Sequence, residues 1–393
     1  MKILLVNKFH YRRGGDCIYT FNVADLLRQH GHEIASFAMQ YPENESSSWD
    51  KYYPSEVKFK PGLGMFEAFM RPFGTSEVKK KFTALLDDFK PDVVHLNNIH
   101  SQLSPVIAEI AHEKGIRVVW TIHDCKLVCP RYDCERDNHR CEECFSDLKS
   151  CLKYNCMKGS KLATFLAYYE AKKWNPTRLM VCTDKFISPS EYIKQTMIRG
   201  HYDANKIQTL CNFIDVKKVE GTDFQKKDYY CFLGAIRSIK GVKTLCKAAI
   251  RLPYKLVLIG CGELLEELRE RYKECKNIEF VGQKTWSELR PIIEHARFSV
   301  LPSECAENNP LSVIEAQSLG TPVLGARIGG IPELIEENVS GMTFTSGDVE
   351  DLMSKIQQMW DADFDYEAIA KDAVARYSSE AYYEKLMEIY KGK

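Results

Sequence analysis

The chain has no long hydrophobic run. Nowhere do about 18 apolar residues follow one another, the length a helix needs to cross a bilayer, so no membrane span is expected. It has no excess of charge either: 54 Lys and Arg stand against 54 Asp and Glu. That balance gives no basic field of the kind that holds nucleic acid. The opening MKILLVNKF is too short an apolar run for an export signal and is followed by no small-residue cleavage site. Its fifteen cysteines are therefore expected as reduced thiols in a cytosol rather than as a disulfide framework. Internal repeats are absent. What the chain does have is 393 residues, 45% of them hydrophobic, enough to fill the cores of two to three domains.

Apolar runs of strand length alternate with segments of helical spacing. Residues 2–7 hold the uninterrupted apolar run Ile3–Val6, the mark of a parallel strand covered on both faces. A loop ending in Gly14-Gly15, a helix over 18–30 and a strand over 33–38 follow. Later strands are expected over 92–96, 117–122, 185–188, 229–233, 255–259, 277–281 and 298–301, with helices between them. This alternation predicts an α/β chain with parallel sheets, whose ligands sit beyond the strand ends. His100 and His123 both fall at such ends. The segment 62–73 carries Met65, Phe66, Phe69, Met70 and Phe73 just before Lys79-Lys80-Lys81, which fits either a membrane-surface contact or an ordinary core helix.

The most informative stretch is LPSECAENNPLSVIEAQSLGTPVLGARIGGIPE, residues 301–333. A strand gives way to a polar turn holding Glu304 and Glu307. Pro310 then suits a first helical position, where its fixed φ fits and its missing N–H costs nothing. Free N–H groups at that helix start favour an anion, most naturally a phosphate. Glu307 stands at the mouth and Glu315 about two turns deeper, placed to accept hydrogen bonds from vicinal hydroxyls. A phosphate flanked by two hydroxyl-binding carboxylates suits a nucleotide sugar. Lys240, and Arg237 beside it, lie on a loop past another strand, where a cation and a planar fork can hold a diphosphate.

Pro302-Ser303, Glu307, Glu315-Ala316 and Gly320-Thr321-Pro322-Val323 together resemble the donor site of the retaining GT-B glycosyltransferases, in particular family 4. Asn212-Phe213-Ile214-Asp215 resembles the turn that leads those enzymes into their second domain. Gly234, Lys240 and Gly241 match the family's second glycine loop. Ala235 stands where the family usually has Arg, with Arg237 two residues on.

The resemblance implies two Rossmann-like parallel-sheet domains facing across a cleft. Residues 1–205 would form the acceptor-side domain, 206–375 the donor domain, and 376–393 a helix crossing back. It implies sugar transfer, with retention, from a nucleoside-diphosphate sugar (UDP ahead of GDP) to a hydroxyl of a glycan or lipid-linked acceptor in surface polysaccharide synthesis. The enzyme would be cytoplasmic, at the inner face of the membrane. Glu307 and His123 take the catalytic roles, with Glu304 in reserve. Gly14, Gly15, Arg237, Lys240, Asn309, Pro310, Leu311 and Glu315 bind the donor. No Asp-x-Asp pair stands in a convincing loop, so no catalytic metal is expected.

Residues 125–156 hold seven of the cysteines: 125, 129, 134, 141, 144, 151 and 156. Cys141 and Cys144 have the two-residue spacing with which a pair of thiolates grips a tetrahedral ion. A structural zinc held by Cys129, Cys141, Cys144 and Cys156 is one reading, with Cys134 and Cys151 as substitutes; ordinary free thiols are the other. Two rival functions remain. A nicotinamide oxidoreductase would need a G-x-G-x-x-G turn, which neither Gly14-Gly15 nor Gly260-Cys261-Gly262 completes. A catalytically inactive binding protein on the same fold would not need Glu307, Glu315 and Lys240.

Overall fold

The computed structural model describes residues 1–57, 68–137 and 139–392. Its strands are, in order, β1 (Lys2–Val6), β2 (Glu33–Phe37), β3 (Val93–Leu96), β4 (Arg117–Thr121), β5 (Glu135–Arg136), β6 (His139–Arg140), β7 (Lys185–Ser188), β8 (Ile207–Thr209), β9 (Tyr229–Leu233), β10 (Lys255–Ile259), β11 (Ile278–Gly282), β12 (Ser299–Leu301), β13 (Val323–Ala326) and β14 (Gly341–Phe344). The chain divides into two units. One comprises Met1–Leu210 with the segment from Tyr383 on; the other is Cys211–Tyr382.

The first unit is built on a parallel six-stranded sheet in the order β2-β1-β3-β4-β7-β8. Ile3, Leu4, Leu5 and Val6 are all buried, as a strand covered on both faces requires. The order reverses between β1 and β3, so the loops after these strands diverge and open a crevice at their C-terminal ends. From the helix Ser379–Lys391, Tyr390 reaches this sheet: its hydroxyl bonds His95 Nδ1 at 2.6 Å, and His95 Nε2 bonds the Thr121 hydroxyl at 2.7 Å.

The second unit repeats the plan with another sheet, β11-β10-β9-β12-β13-β14, also parallel. Its order reverses between β9 and β12. The loops that diverge there are 234–241 and 302–310, which carry Lys240 and Glu307.

Several expected elements take a different form. Pro310 caps the helix Leu311–Ser318 from just outside instead of occupying its first turn. The cysteine-rich insertion contains a small antiparallel hairpin, β5-β6, which periodicity does not reveal in two-residue strands. Of the apolar segment 62–73, Met65 and Phe66 lie outside the described residues. Of its described part, residues 68–70 are helical and Arg71–Phe73 form a short 3₁₀ turn, with Met70 exposed beside it.

Candidate active site

In the second unit the loops after β9 and β12 converge on Glu307. Lys240 Nζ bonds Glu307 Oε1, and the buried Ser303 hydroxyl donates to the same oxygen at 2.7 Å. The cation and the carboxylate expected to act separately thus form one pair. Two glycines allow it. Gly241 has φ +68°, and a Cβ there would lie 1.7 Å from the carbonyl oxygen of Pro302, so the two loops can touch only through a glycine. Gly329, at φ +61°, lies against the Glu307 backbone, and the Gly330 N–H donates to the Glu307 carbonyl at 2.8 Å. Gly329-Gly330, legible in sequence only as a turn, is the clamp that fixes Glu307.

Arg237 sits at the start of the turn Ser238–Lys240, exposed and unpaired among the described residues. Glu304 is tied down: its carboxylate accepts from the Thr244 hydroxyl at 2.5 Å, and its N–H donates to the Ile239 carbonyl. Asn309 is a tether, its side-chain and main-chain oxygens both accepting from Asn212 at 2.8 Å. Its Nδ2 is buried without a partner. Sequence reasoning missed this bond between the start of the unit and the helix mouth; the Asn-x-x-Asp turn was its only trace.

Leu311 opens the helix behind that mouth, and Pro310 leaves the first N–H groups free of a side-chain cap. Glu315 lies farther along. Its carboxylate forms no hydrogen bond among the described residues, and burial pushes it up to about 7, with Lys218 opposing. A largely desolvated carboxylate without donors is an unfilled acceptor, and a vicinal diol would fill it.

In the first unit Gly14 and Gly15 open the helix Gly15–Gln29. Gly14 is extended, and a Cβ on Gly15 would meet nothing within 4 Å, so open space borders this helix start. Asp16 occupies its first turn and accepts from Asn98 at 3.1 Å. His123 lies past β4, with the Tyr19 ring edge-on at 4.9 Å. The Asn97 amide donates to the Val6 carbonyl, which turns its oxygen to His123 Nε2 at 2.9 Å. The imidazole proton therefore sits on Nε2, and Nδ1 presents a lone pair. Burial lowers the His123 pKa to about 4, with Asp16 opposing, so the ring is neutral near pH 7. His100 stacks on Trp120 and is also held neutral by burial.

All the cysteines are free thiols. In the insertion the Cys134 thiol lies beside those of Cys129 and Cys125, and the Cys144 thiol beside that of Cys151. Cys141 pairs by its backbone with Cys134 at 2.7 Å. Among the described residues no group of three or more His, Cys, Asp or Glu side chains is set to hold a metal ion.

Two family profiles divide the chain between them. Glycosyltransferase Family 4 matches residues 13–218, more than half of the chain, and glycosyl transferases group 1 matches 214–376. The chain belongs to glycosyltransferase family 4. It is 26% identical over 180 residues to an uncharacterized glycosyltransferase of Methanocaldococcus jannaschii, covering 45% of this chain and 50% of that protein. It is 31% identical over 144 residues to the O-antigen biosynthesis glycosyltransferase WbnH of Escherichia coli, covering 36% and 40%. The chain thus spans half or less of the length of these two relatives. Among solved structures, the lipopolysaccharide outer core galactosyltransferase WaaB matches with a TM-score of 0.70 at 16% identity, both chains covered completely. Anabaena HepE in complex with UDP-glucose matches at 0.66 and 16%, again over both whole chains. These two likenesses concern the fold, which is GT-B.

Proposed function

We propose that this family 4 member is a retaining glycosyltransferase that moves a hexose from a nucleoside-diphosphate sugar to a hydroxyl of a glycan or lipid-linked acceptor. The observation that carries this reading is the convergence on Glu307: Lys240 from one side of the switch point, Ser303 from the other, and the free start of the Leu311–Ser318 helix behind. Negative charge develops on phosphate oxygen as the anomeric bond breaks. A fixed cation and helix N–H groups stabilise that charge more than they stabilise the intact donor. Lys240 and the exposed Arg237 supply the positive charge, and the first N–H groups after Pro310 the hydrogen bonds.

Glu307 then turns to the hydroxyls of the donor sugar, and Glu315 accepts the ribose diol. The bond from the anomeric carbon to phosphate oxygen breaks with its electron pair going to phosphate. The acceptor oxygen bonds the same face of that carbon and passes its proton to the departing phosphate. No carboxylate nucleophile is invoked. His123, neutral and with Nδ1 open, accepts a hydrogen bond from a sugar or acceptor hydroxyl. Gly14 and Gly15 leave helix N–H groups accessible to an anion.

UDP is favoured as the carrier because HepE, of the same fold, is described in complex with UDP-glucose. A surface-polysaccharide role, with an acceptor at the cytoplasmic membrane face, draws support from the O-antigen and lipopolysaccharide relatives. Incubation with a panel of nucleotide sugars tests the whole reading. One donor should be hydrolysed slowly without acceptor, and Glu307→Ala and Lys240→Ala should each cut turnover by about 10²–10³ with the melting temperature retained. Near-normal turnover in either variant refutes the assignment.

For the cysteine-rich insertion we keep a single structural zinc as the staple. Cys129, Cys144, Cys151 and Cys156 all lie close enough to feel one another electrostatically, and Cys156 also feels Cys141. Their side chains do not form a liganding set as they stand, so binding has to draw them together, and no catalytic step passes through this ion. Protein purified without a histidine tag should carry about one zinc per chain; below about 0.2, with all seven thiols titratable, the free-thiol reading stands.

A further inference from the structure

The helix Lys161–Lys173 is built inside out. Its sequence is KLATFLAYYEAKK, and the residues it turns to the protein are Thr164, Ala167 and Glu170. Turned to solvent are Leu162 (57% exposed), Phe165 (50%) and Tyr169 (41%), spaced three and four apart along one face. A core-packing helix has the opposite arrangement. Large apolar side chains grouped on a surface mark a contact site, whereas scattered single ones do not.

The charge on this element is sorted as well. Its one acid, Glu170, is buried: it pairs with Lys126 at 3.0 Å and accepts from the Ser101 hydroxyl at 2.9 Å. The solvent face is left with Lys161 and Lys172 at its two ends, both exposed and neither in an ion pair among the described residues. Lys158 is exposed one turn before the helix. Behind its last turn, Lys173 bonds the Phe73 carbonyl at 2.6 Å and lies close enough to Lys79, Arg178 and Glu109 to feel their charges, Arg178 and Glu109 being paired with each other. Trp174 bonds the Pro72 carbonyl, so the exposed Met70 stands beside the same structure.

We propose that this face docks on an anionic lipid bilayer, with the helix lying in the plane of the headgroups. At about 1.5 Å per residue it is some 20 Å long, too short to span. No helix among the described residues is long and apolar enough to cross a membrane. Leu162 and Phe165 reach the acyl boundary, and Tyr169 has the amphipathic ring that sits at headgroup level. The lysines extend their stems along the surface and set their ammonium groups among lipid phosphates. A second copy of this chain fits worse, because a two-fold contact through the face would set its lysines against their own counterparts. The inference gives a surface to the membrane contact proposed above, and it stands without the donor chemistry.

Sedimentation with vesicles tests it, in the absence of any nucleotide sugar. The intact protein should partition onto phosphatidylglycerol-containing vesicles and not onto pure phosphatidylcholine, and about 0.5 M salt should weaken the binding. The pair Leu162→Ser with Phe165→Ser, and separately Lys161→Gln with Lys172→Gln, should each reduce partitioning at least about tenfold. These side chains are exposed, so melting temperatures should match the parent. Three results overturn the proposal. One is no binding to anionic vesicles by the intact protein. Another is undiminished binding in both variants. The third is self-association of the parent, seen by sedimentation velocity, that the serine pair abolishes. If vesicle binding fails while sugar transfer persists, only this inference falls.

Discussion

At the scale of single residues, the carboxylates and the cation of the second unit are matched to different tasks by their surroundings. Glu307 is already paired with Lys240, which sets its position for the role proposed above. Glu315 lacks donors and is pushed up to about 7 by burial. Its folded pKa therefore exceeds the usual unfolded value near 4.3. Between those two values the folded chain keeps a proton the unfolded chain has lost, so stability falls as pH rises through the window and stays lower above it. Glu315→Gln should then melt with the parent below about pH 4, and be more stable than it above pH 7 by on the order of 2 kcal/mol. The same variant should bind the nucleotide sugar more weakly at pH 8, because an amide accepts only through one oxygen where the carboxylate offers two. Thermal melts at several pH values, with and without donor, separate the effects. A variant that is destabilised at pH 8, or that binds donor unchanged, argues against an unfilled acceptor. His123 has the opposite sign. Its folded pKa of about 4 lies below the unfolded value near 6.5, so the unfolded chain takes up a proton first and stability falls as pH drops from about 6.5 toward 4.

At the scale of elements, a glycine is informative only once its neighbour is known. Gly241 and Gly15 read alike in the sequence, each in a loop before a helix. In the structure Gly241 touches the Pro302 carbonyl at positive φ, and Gly15 borders open space. Gly241→Ala should cost more than about 2 kcal/mol, since the strained backbone and the collision add. Gly15→Ala should leave the melting temperature nearly unchanged; if the space beside it admits an anion, turnover drops without loss of fold. Differential scanning fluorimetry alongside turnover distinguishes the two positions. This contrast also marks what was legible beforehand. The parallel sheets were readable because buried strands such as β1 are apolar without interruption and helices carry their own period. That Lys240 and Glu307 lie in loops past strand ends was readable as well. The Lys240–Glu307 pair, the Gly329-Gly330 clamp, the Asn212–Asn309 tether and the proton on His123 Nε2 were not readable, because each depends on strand order or on a partner distant in sequence. The exposed face of Lys161–Lys173 was hidden for another reason. Its composition resembles that of a core helix, and only burial shows which side is turned inward.

At the scale of the whole molecule, the chain uses one architectural plan twice, with different strand orders and different residues at the reversal of each sheet. In the first unit the crevice end offers neutral hydrogen-bonding groups, Asn97, Asn98 and His123, with Asp16 accepting from Asn98. In the second it offers Lys240, the exposed Arg237 and an uncapped helix start. The positive charge needed by a departing diphosphate is thus available from side chains and backbone. On the proposed reading a divalent ion is then not required for the transfer step, since its role there would be to neutralise the same oxygens. A chelator added shortly before assay should leave the initial rate within about twofold, and magnesium or manganese should not raise it. Prolonged chelation should act differently. If the insertion holds the proposed zinc, losing it should lower the melting temperature before it lowers the rate, because the insertion begins two residues past His123. Full loss of activity restored by magnesium or manganese contradicts a metal-free transfer, whereas recovery with zinc alone traces the loss to the insertion.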